Sequence, residues 1–268
     1  MEQPSVAILG AGAMGEVLAG GLLRAGWKAA DLVLVARREE RCREVEETTG
    51  IAATLDPVEA IRGKAVLVVA VKPADVPALI SQIEGAVQSD QVILSLAAGV
   101  PTVRFEETLT GIPVVRAMPN TPAQIDQGIT ALCGGTHADD ESLIAAETVL
   151  SAVGGTIRLD EYLLDAVTAV SGTGPAYVFL MAEALTEAAI REGLPRHAAE
   201  RLVKHTVRGA GMLLTAVEEG PEYLRAQVTS PGGTTAAAVH VLEERGFRAL
   251  VEDAVRAATT RSREMGEG

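Results

Sequence analysis

The 268-residue sequence predicts an α/β fold: a doubly wound, mostly parallel sheet in the first part of the chain, followed by an all-helical second part. Three observations lead to this prediction. Short apolar runs alternate with helical patterns from Ser5 to about Leu159, most runs are apolar throughout, and after Glu161 the runs stop. Strands buried on both faces have this composition. Alternating strands and helices indicate right-handed βαβ units.

The predicted strands are the apolar runs themselves. In chain order they are Val6–Leu9, Leu32–Val35, Ala65–Val71, Val92–Leu96, Val114–Val115, Ile129–Cys133 and Thr156–Leu159. The predicted helices of the first part are Met14–Ala25, Arg38–Thr48, Val76–Ala86 and Ala138–Ala152. Those of the second part are Glu161–Val170, Pro175–Glu192, Pro195–Glu218, Thr234–Glu244 and about Phe247 to Met265. We place the domain boundary near residue 160, giving a first domain of residues 1–160 and a second of 161–268.

Composition limits the classes of function. Hydrophobic residues make up 48% and aromatic residues 3%, so the core must be aliphatic. A net charge of −13 argues against nucleic acid as a partner. We expect no membrane partner, because no apolar run approaches the roughly 18–20 residues of a membrane span. Two cysteines offer no disulfide framework and favour a reducing cytoplasm. The helical part has a thin core, which predicts an interlocked homodimer.

Gly10-Ala-Gly-Ala-Met-Gly15 matches the pattern G-x-G-x-x-G, with a strand before it and a helical pattern after it. This context predicts a dinucleotide site in a Rossmann domain. Gly10 makes the tight turn, Gly12 lets the backbone approach the pyrophosphate, and Gly15 lets the helix pack on the sheet. The helix start then offers unpaired N–H groups to the anion.

Arg37 and Arg38 follow the second strand, where an enzyme that prefers NAD has Asp or Glu for the ribose diol. Two guanidinium groups at this position favour a 2′-phosphate, so we expect NADP(H) to be preferred, with NAD(H) as the alternative. The competing interpretation is that both arginines only belong to a solvated helix.

Two later strand ends are expected to face the cofactor, since ligands lie at the carboxyl ends of such strands. They contain Ala70, Val71, Lys72 and Pro73, and Ala97, Ala98 and Gly99. Lys72 has two equal interpretations, a ligand contact or an ordinary loop lysine.

Ser230-Pro-Gly-Gly-Thr-Thr235 precedes an alanine-rich helical run. Ser230 and Pro231 are typical of a helix start. Gly232 and Gly233, placed in the expected first turn, weaken the helix but leave N–H groups open to a carboxylate. Plain helix capping is the alternative role of Thr234 and Thr235.

Met118-Pro-Asn-Thr-Pro122 and Ser171-Gly-Thr-Gly-Pro-Ala-Tyr177 make the resemblance specific. Together with the Gly10–Gly15 motif, Ala70–Pro73 and the Ser230–Thr235 stretch, the chain resembles the pyrroline-5-carboxylate reductase family over nearly its whole length. The resemblance implies reduction of 1-pyrroline-5-carboxylate, an anionic imine, to L-proline by hydride transfer from NAD(P)H, the final step of proline biosynthesis. It also implies a helical dimerisation domain, with dimers gathered into larger rings such as a decamer.

The resemblance also implies roles for particular residues. Gly10, Ala11, Gly12, Ala13, Met14 and Gly15 should hold the pyrophosphate, and the stretches 70–73 and 97–99 should line the cofactor cleft. Asn120 and Thr121 should lie near the nicotinamide. Gly233, Thr234 and Thr235 should receive the substrate, with Ser230 supporting the turn. Ser171-Gly-Thr-Gly-Pro-Ala is interpreted as mainly architectural.

A protonated cyclic imine is already an electrophile, so the enzyme mainly has to orient it. A hydroxyl could hydrogen-bond the ring nitrogen, and Thr235 is our catalytic candidate. The four histidines are scattered and no cluster has metal-ligand spacing, so no metal is expected. His240, little more than a turn beyond Thr235, is a candidate for supporting it. A β-hydroxyacid dehydrogenase, which needs a lysine on the interdomain helix, and a non-catalytic NADP-binding sensor are the alternatives. Pro175–Glu192 contains no lysine.

Overall fold

A computed structural model describes residues 3–267 of the chain. Its contacts divide the chain into two compact units. The first runs through Gly172 and also includes the stretch from Ala258 onwards, and the second is Thr173–Ala257. The sequence places the boundary near residue 160; in the structure the last helix contributes residues to both units.

The first unit is built on one eight-stranded sheet in the order β3-β2-β1-β4-β5-β6-β7-β8. The strands are β1 Val6–Leu9, β2 Leu32–Val35, β3 Ala52–Thr54, β4 Val66–Val69, β5 Val92–Ser95, β6 Val114–Met118, β7 Gly128–Gly134 and β8 Gly154–Arg158. All neighbours are parallel except β6 and β7. The predicted doubly wound, mostly parallel sheet is therefore confirmed. The order reverses between β1 and β4, which is where such sheets bind ligands.

Helices cover both faces of this sheet. Those of the first unit are α1 Ala13–Arg24, α2 Glu39–Thr49, α3 Pro57–Ala60, α4 Val76–Ile83, α5 Val103–Glu106, α6 Asp140–Leu150 and α7 Leu164–Val167. Alternate residues of β1 enter separate cores: Val6 and Ile8 pack on one face, and Ala7 and Leu9 on the other. Burial of both faces explains why β1, β4 and β5 are apolar at nearly every position.

The second unit is helical. It contains α8 Gly174–Arg191, α9 Arg196–Ala216, α10 Pro221–Gln227, α11 Thr234–Glu244 and the first part of α12 Phe247–Glu267. The later part of α12 belongs to the first unit, where the Ser262 hydroxyl donates to Asp165 Oδ1 at 2.7 Å. The predicted helix Pro195–Glu218 ends earlier, at Ala216, and α10 starts at Pro221.

Three local expectations need correction. No strand is predicted at β3, which is a three-residue edge strand. Glu161–Val170 is not one helix: a 3-10 turn at Glu161–Leu163 leads into α7 and then a π-helix at Thr168–Gly172. Within the described residues, the helical segment Glu161–Arg191 contains an 18-residue window with a mean hydropathy of 1.3, which meets the length and composition of a membrane span, contrary to the expectation that no segment does. One such helix is weak evidence, so the absence of a membrane partner stays a prediction.

Candidate cofactor and substrate sites

The loop between β1 and α1 has the geometry that the glycine pattern predicts. The N–H of Ala11 donates to the Val35 carbonyl at 2.9 Å, which fixes the loop beside β2. A Cβ on Gly15 would lie 2.0 Å from the Gly10 carbonyl oxygen, so the close approach of α1 to this turn requires glycine. A Cβ on Gly12 would meet no protein atom within 4 Å. The loop is therefore tight on its protein side and open at Gly12, where a pyrophosphate needs access to the backbone.

A cavity of about 600 Å³ lies at the carboxyl ends of β1, β2 and β4. It brings together eight of the predicted cofactor residues: Gly10, Ala11, Gly12, Arg37, Arg38, Ala70, Val71 and Lys72. Volume and lining suit part of a dinucleotide, since small-molecule sites commonly measure about 300–1,000 Å³. The structure thus places these residues at the switch point of the sheet.

The remaining predicted cofactor residues do not line this cavity: Ala13, Met14, Gly15, Pro73, Ala97, Ala98, Gly99, Asn120 and Thr121. The first three form the first turn of α1, and Pro73 opens a 3-10 turn. Ala97–Gly99 follows β5, and Asn120 follows β6. Because β4, β5 and β6 are parallel, these segments share one edge of the sheet. Their contact with a cofactor stays a prediction.

Charged side chains in the cavity form a mixed cluster. Arg37 is ion-paired with Asp75, which belongs to the 3-10 turn after β4. Arg41, on α2, donates to the Ala11 carbonyl at 3.3 Å and to Glu44 at 2.8 Å, and it also pairs with Glu16. Arg41 therefore ties α2 to the glycine loop.

Sequence reasoning missed Arg41 and Asp75. Arg41 could have been found, since it lies three residues after Arg38, the N-cap residue of α2, and so near the same face of the helix. The local sequence around Asp75 does not indicate its role, because its partner, Arg37, is 38 positions away in the chain. Lys72 lines the cavity, but its contribution to binding stays a prediction.

Asn120 is buried, and both ends of its amide are used. Its Oδ1 accepts the N–H of Ile129 at 3.0 Å, and its Nδ2 donates to the Ser171 hydroxyl at 3.2 Å. The side chain therefore joins the segment after β6 to β7 and to the π-helix. This geometry supports a positioning task, while Thr121 beside it is exposed.

Glu161 holds the segment that follows Gly99. Its carboxylate accepts the N–H and the hydroxyl of Thr102, both at 2.9 Å, and pairs with Arg116 at 3.1 Å. Arg116 is only 8% exposed and lies on β6 opposite Cys133. Burial, followed by the charge of Glu161, raises the pKa of the Cys133 thiol to about 12. Cys133 is therefore an inert thiol at neutral pH.

The predicted substrate residues lie at the start of α11 in the helical unit. The predicted helix Thr234–Glu244 has the bounds of α11, so Gly232 and Gly233 precede the helix instead of forming its first turn, and Gly233 is its cap. The N–H of Gly233 donates to the Ser230 carbonyl at 3.0 Å. Pro231 and Gly232, with a φ of 72° at Gly232, are the central residues of the resulting turn, a geometry typical of type II.

No side chain caps α11 in the described structure. The N–H groups of Thr234, Thr235 and Ala236 have no partner within the helix, as at any helix start. These groups, rather than that of Gly233, are the ones available to an anion. Thr235 is half-buried, and His240 further along the helix is exposed. Among residues 3–267, no group of three or more His, Cys, Asp or Glu is placed to hold a metal ion.

Comparison with known proteins identifies the family. Residues 161–265 match the family model described as pyrroline-5-carboxylate reductase dimerisation, and residues 5–99 match that of NADP oxidoreductase, coenzyme F420-dependent. The pyrroline-5-carboxylate reductase of Mycobacterium tuberculosis is 41% identical, with 97% of this chain and 96% of that protein covered. The chain belongs to the pyrroline-5-carboxylate reductase family. The Corynebacterium melassecola member is 38% identical over 98% of this chain and 99% of its own.

Solved structures of this family have folds similar to that of this chain. A pyrroline-5-carboxylate reductase from Coxiella burnetii has a TM-score of 0.94 at 34% identity, with 98% of this chain and 99% of that one covered. The Plasmodium falciparum reductase, solved with NADP bound, has a TM-score of 0.87 at 28% identity, with 99% of each chain covered. These findings confirm the predicted family, enzyme class and use of NADP(H). They also support the coarser predictions of a small-molecule substrate and an oligomer.

Proposed function

We propose that this chain reduces 1-pyrroline-5-carboxylate to L-proline with NADPH as the hydride donor. The observation that carries the proposal is the glycine loop at the switch point of the sheet, open at Gly12 and flanked by Arg37 and Arg38, in a chain that belongs to this family over its full length. When bound, NADPH supplies a hydride to the imine carbon, and the ring nitrogen becomes an amine. The protein's own residues bind the cofactor and the substrate and orient them for this transfer.

On the cofactor side, the N–H groups at the start of α1 are suited to the pyrophosphate. Arg37 and Arg38 follow β2, where the adenosine ribose is expected, and their guanidinium groups suit a 2′-phosphate. Two glutamates neutralise Arg41, so its task is to hold the loop. Replacing Arg41 would therefore weaken the binding of NADPH and of NADH to the same degree.

On the substrate side, the N–H groups of Thr234 and Thr235 are suited to the substrate carboxylate. Ser230 and Gly233 shape the turn before them through their backbone hydrogen bond. Gly232 allows the left-handed backbone that the turn needs. The Thr235 hydroxyl would hydrogen-bond the ring nitrogen and so orient the imine.

Turnover tests the activity directly. NADPH absorbance at 340 nm is followed after addition of 1-pyrroline-5-carboxylate, with L-proline measured as the product. We expect proline and NADPH oxidation in equal amounts. Folded protein that binds NADPH but gives no proline would refute the proposal and favour a non-catalytic sensor.

The role of Thr235 is tested by Thr235→Val, which keeps the shape of the side chain and removes the hydroxyl. We expect a lower kcat with nearly unchanged NADPH affinity. Thr48→Val, at an exposed position of α2 remote from the substrate residues in sequence, is the matched control. Wild-type kinetics in Thr235→Val would remove the hydroxyl from the mechanism and leave Thr235 with its backbone role.

The 2′-phosphate site is tested by replacing Arg37 and Arg38 together with glutamine. NADPH affinity should fall more than NADH affinity, because only NADPH carries the phosphate. Arg43→Gln is the control for each lost charge, since Arg43 lies exposed on α2 and does not line the cavity. An equal loss for both cofactors would assign the two arginines to the solvated surface of α2.

The oligomer is proposed to be a homodimer formed by the helical unit and assembled into a ring such as a decamer. Apolar side chains on α8 support this: Val178, Phe179, Leu180, Met181 and Leu185 are exposed in the single chain. Contiguous exposed apolar side chains mark contact surfaces. Light scattering in detergent-free buffer should give at least a dimer, and a monomer at micromolar concentration would refute the interface. Two buried, unpaired cysteines support the proposed cytoplasmic location.

A further inference from the structure

Asp75 lines the cofactor cavity, and its carboxylate does not cap the helix that it precedes. It is the N-cap residue of α4, where an aspartate normally accepts a hydrogen bond from the second or third N–H of the helix. Here the side chain makes no capping bond. Pro77 occupies the second position and has no N–H to offer. The carboxylate instead pairs with Arg37.

The ion pair between Arg37 and Asp75 lies where the cofactor ribose is expected. Arg37 follows β2 and Asp75 follows β4, the two strands that flank β1 in the sheet. Both side chains line the cavity above the glycine loop. The carboxylate therefore lies beside the group that is proposed to bind the 2′-phosphate, although it comes from a different strand.

Two consequences follow from electrostatics. A 2′-phosphate can take full advantage of Arg37 only when the guanidinium leaves Asp75, and the remaining carboxylate repels the phosphate. A 2′-hydroxyl meets neither cost, and a carboxylate near the ribose diol is the group that NAD-preferring sites use. The same pair thus penalises NADP(H) and spares NAD(H).

We propose that Asp75 sets the cofactor preference of this chain by holding Arg37 away from the 2′-phosphate. The inference rests on the proposed 2′-phosphate site. It makes Asp75 a specificity-determining residue that moderates the NADPH preference which Arg37 and Arg38 create.

The test compares dissociation constants of NADPH and NADH for the wild-type oligomer and Asp75→Asn, an uncharged side chain of the same shape. NADPH should bind about two- to fivefold more tightly to the variant, the range set by a half-exposed ion pair. NADH should not gain. Asp75→Ser serves as a second variant should the first fold poorly, since neither replacement removes a helix cap.

Asp90→Asn is the matched control. It changes net charge equally, but Asp90 is exposed and precedes β5, at the edge of the sheet opposite the cavity. Arg37→Gln and the double variant complete a cycle. In the Arg37→Gln background, Asp75→Asn should have a smaller effect, because there is no arginine left to release.

The outcomes separate the two claims. An unchanged ratio of NADPH to NADH affinity in Asp75→Asn, with Arg37→Gln still weakening NADPH selectively, overturns the role of Asp75 and leaves the phosphate site standing. No selective effect of Arg37→Gln refutes the phosphate site, and the role of Asp75 falls with it. Tighter NADPH binding in Asp75→Asn, absent in Asp90→Asn, supports the proposal.

Discussion

Replacing Glu161 with alanine should destabilise the first unit far more than the loss of an ordinary surface carboxylate. The substitution leaves the guanidinium of Arg116, 8% exposed on β6, without the carboxylate that pairs with it. It also removes the acceptor of two hydrogen bonds from Thr102, which is 5% exposed. Thr102 lies three residues beyond Gly99, so the same change loosens the segment after the predicted cofactor loop.

The magnitude follows from burial. Breaking a buried ion pair by removing one partner costs about 3–5 kcal/mol, because a buried charge is left uncompensated. The Glu161 side chain is 32% exposed, so water reaches the space that it vacates and reduces the penalty. Each hydrogen bond to Thr102 contributes a further ~0.5–1.5 kcal/mol. We expect a loss of about 2–4 kcal/mol, a large part of the roughly 5–15 kcal/mol that stabilises a typical protein.

Tryptophan fluorescence provides the assay. Trp27 is the only tryptophan, and it is buried in the first unit, where its indole N–H donates to the Pro4 carbonyl at 3.0 Å. Urea unfolding at pH 7 and a fixed protein concentration therefore reports on the unit that contains Glu161. Asp140→Ala is the control, since Asp140 belongs to the same unit and pairs with Arg158 from an 80% exposed position of α6. Its loss should cost less than about 1 kcal/mol.

A second variant tests whether the unpaired charge of Arg116 causes the loss of stability. Arg116→Met in the Glu161→Ala background removes the unpaired charge, so the double variant should be more stable than Glu161→Ala alone. The reasoning is refuted if Glu161→Ala costs no more than Asp140→Ala. It is also refuted if the two losses simply add, because then the charge on Arg116 was not the source of the penalty.

Three further predictions concern the first unit. Asn120→Ala should lower the free energy of unfolding by about 1–3 kcal/mol, because Ile129 N–H loses its acceptor, whereas exposed Thr121→Ala should have little effect; equal midpoints in urea would contradict this. Hydrogen bonds from Arg158 lower the pKa of Glu147 below its usual 4.5, so the stabilisation that this ion pair gives the fold is present above that pH and is lost as the pH falls. The difference in free energy of unfolding between wild type and Glu147→Gln should therefore shrink below about pH 4.5. A difference that stays constant with pH would refute the pairing. Since burial raises the pKa of Cys133 to about 12, iodoacetamide at pH 8 should modify it only in urea, as peptide mass mapping can check.

The sheet could be predicted from sequence because burial on two faces leaves an unmistakable apolar composition. β1, β4 and β5 are buried at every position, and each stands out in the sequence as an apolar run. β3 was missed because it is an edge strand of three small residues, one of them exposed, and its composition does not differ from that of a loop. Strand existence was therefore predictable where packing constrains both faces.

The candidate cofactor site was only partly predictable. Gly10 and Arg37 follow directly from local patterns, since each follows a strand at a position where such folds bind the cofactor. Asp75 does not, because its meeting with Arg37 depends on β2 and β4 flanking β1, and that is a property of strand order. Local sequence therefore predicted the cations, and only the fold revealed the anion paired with one of them.

The start of α11 illustrates a different limit. Ser230 followed by proline fits a helix start, but the same residues also fit a turn with proline second and glycine third. Gly232 decides between them, since its φ of 72° cannot occur inside a helix. The glycines are thus explained by the turn, and the open N–H groups belong to the threonines after it.

The helical unit cannot owe its stability to its own core alone. Within its described residues, Thr173–Ala257, the buried hydrophobic side chains are Ala199 and Val203, and α8, α10 and α11 bury none. Helices in proteins are stabilised mainly by packing of their apolar faces rather than by propensity. We expect the proposed homodimer to supply that packing from a second copy. In that case folding of this unit and assembly form one equilibrium, and we expect its stability to depend on protein concentration.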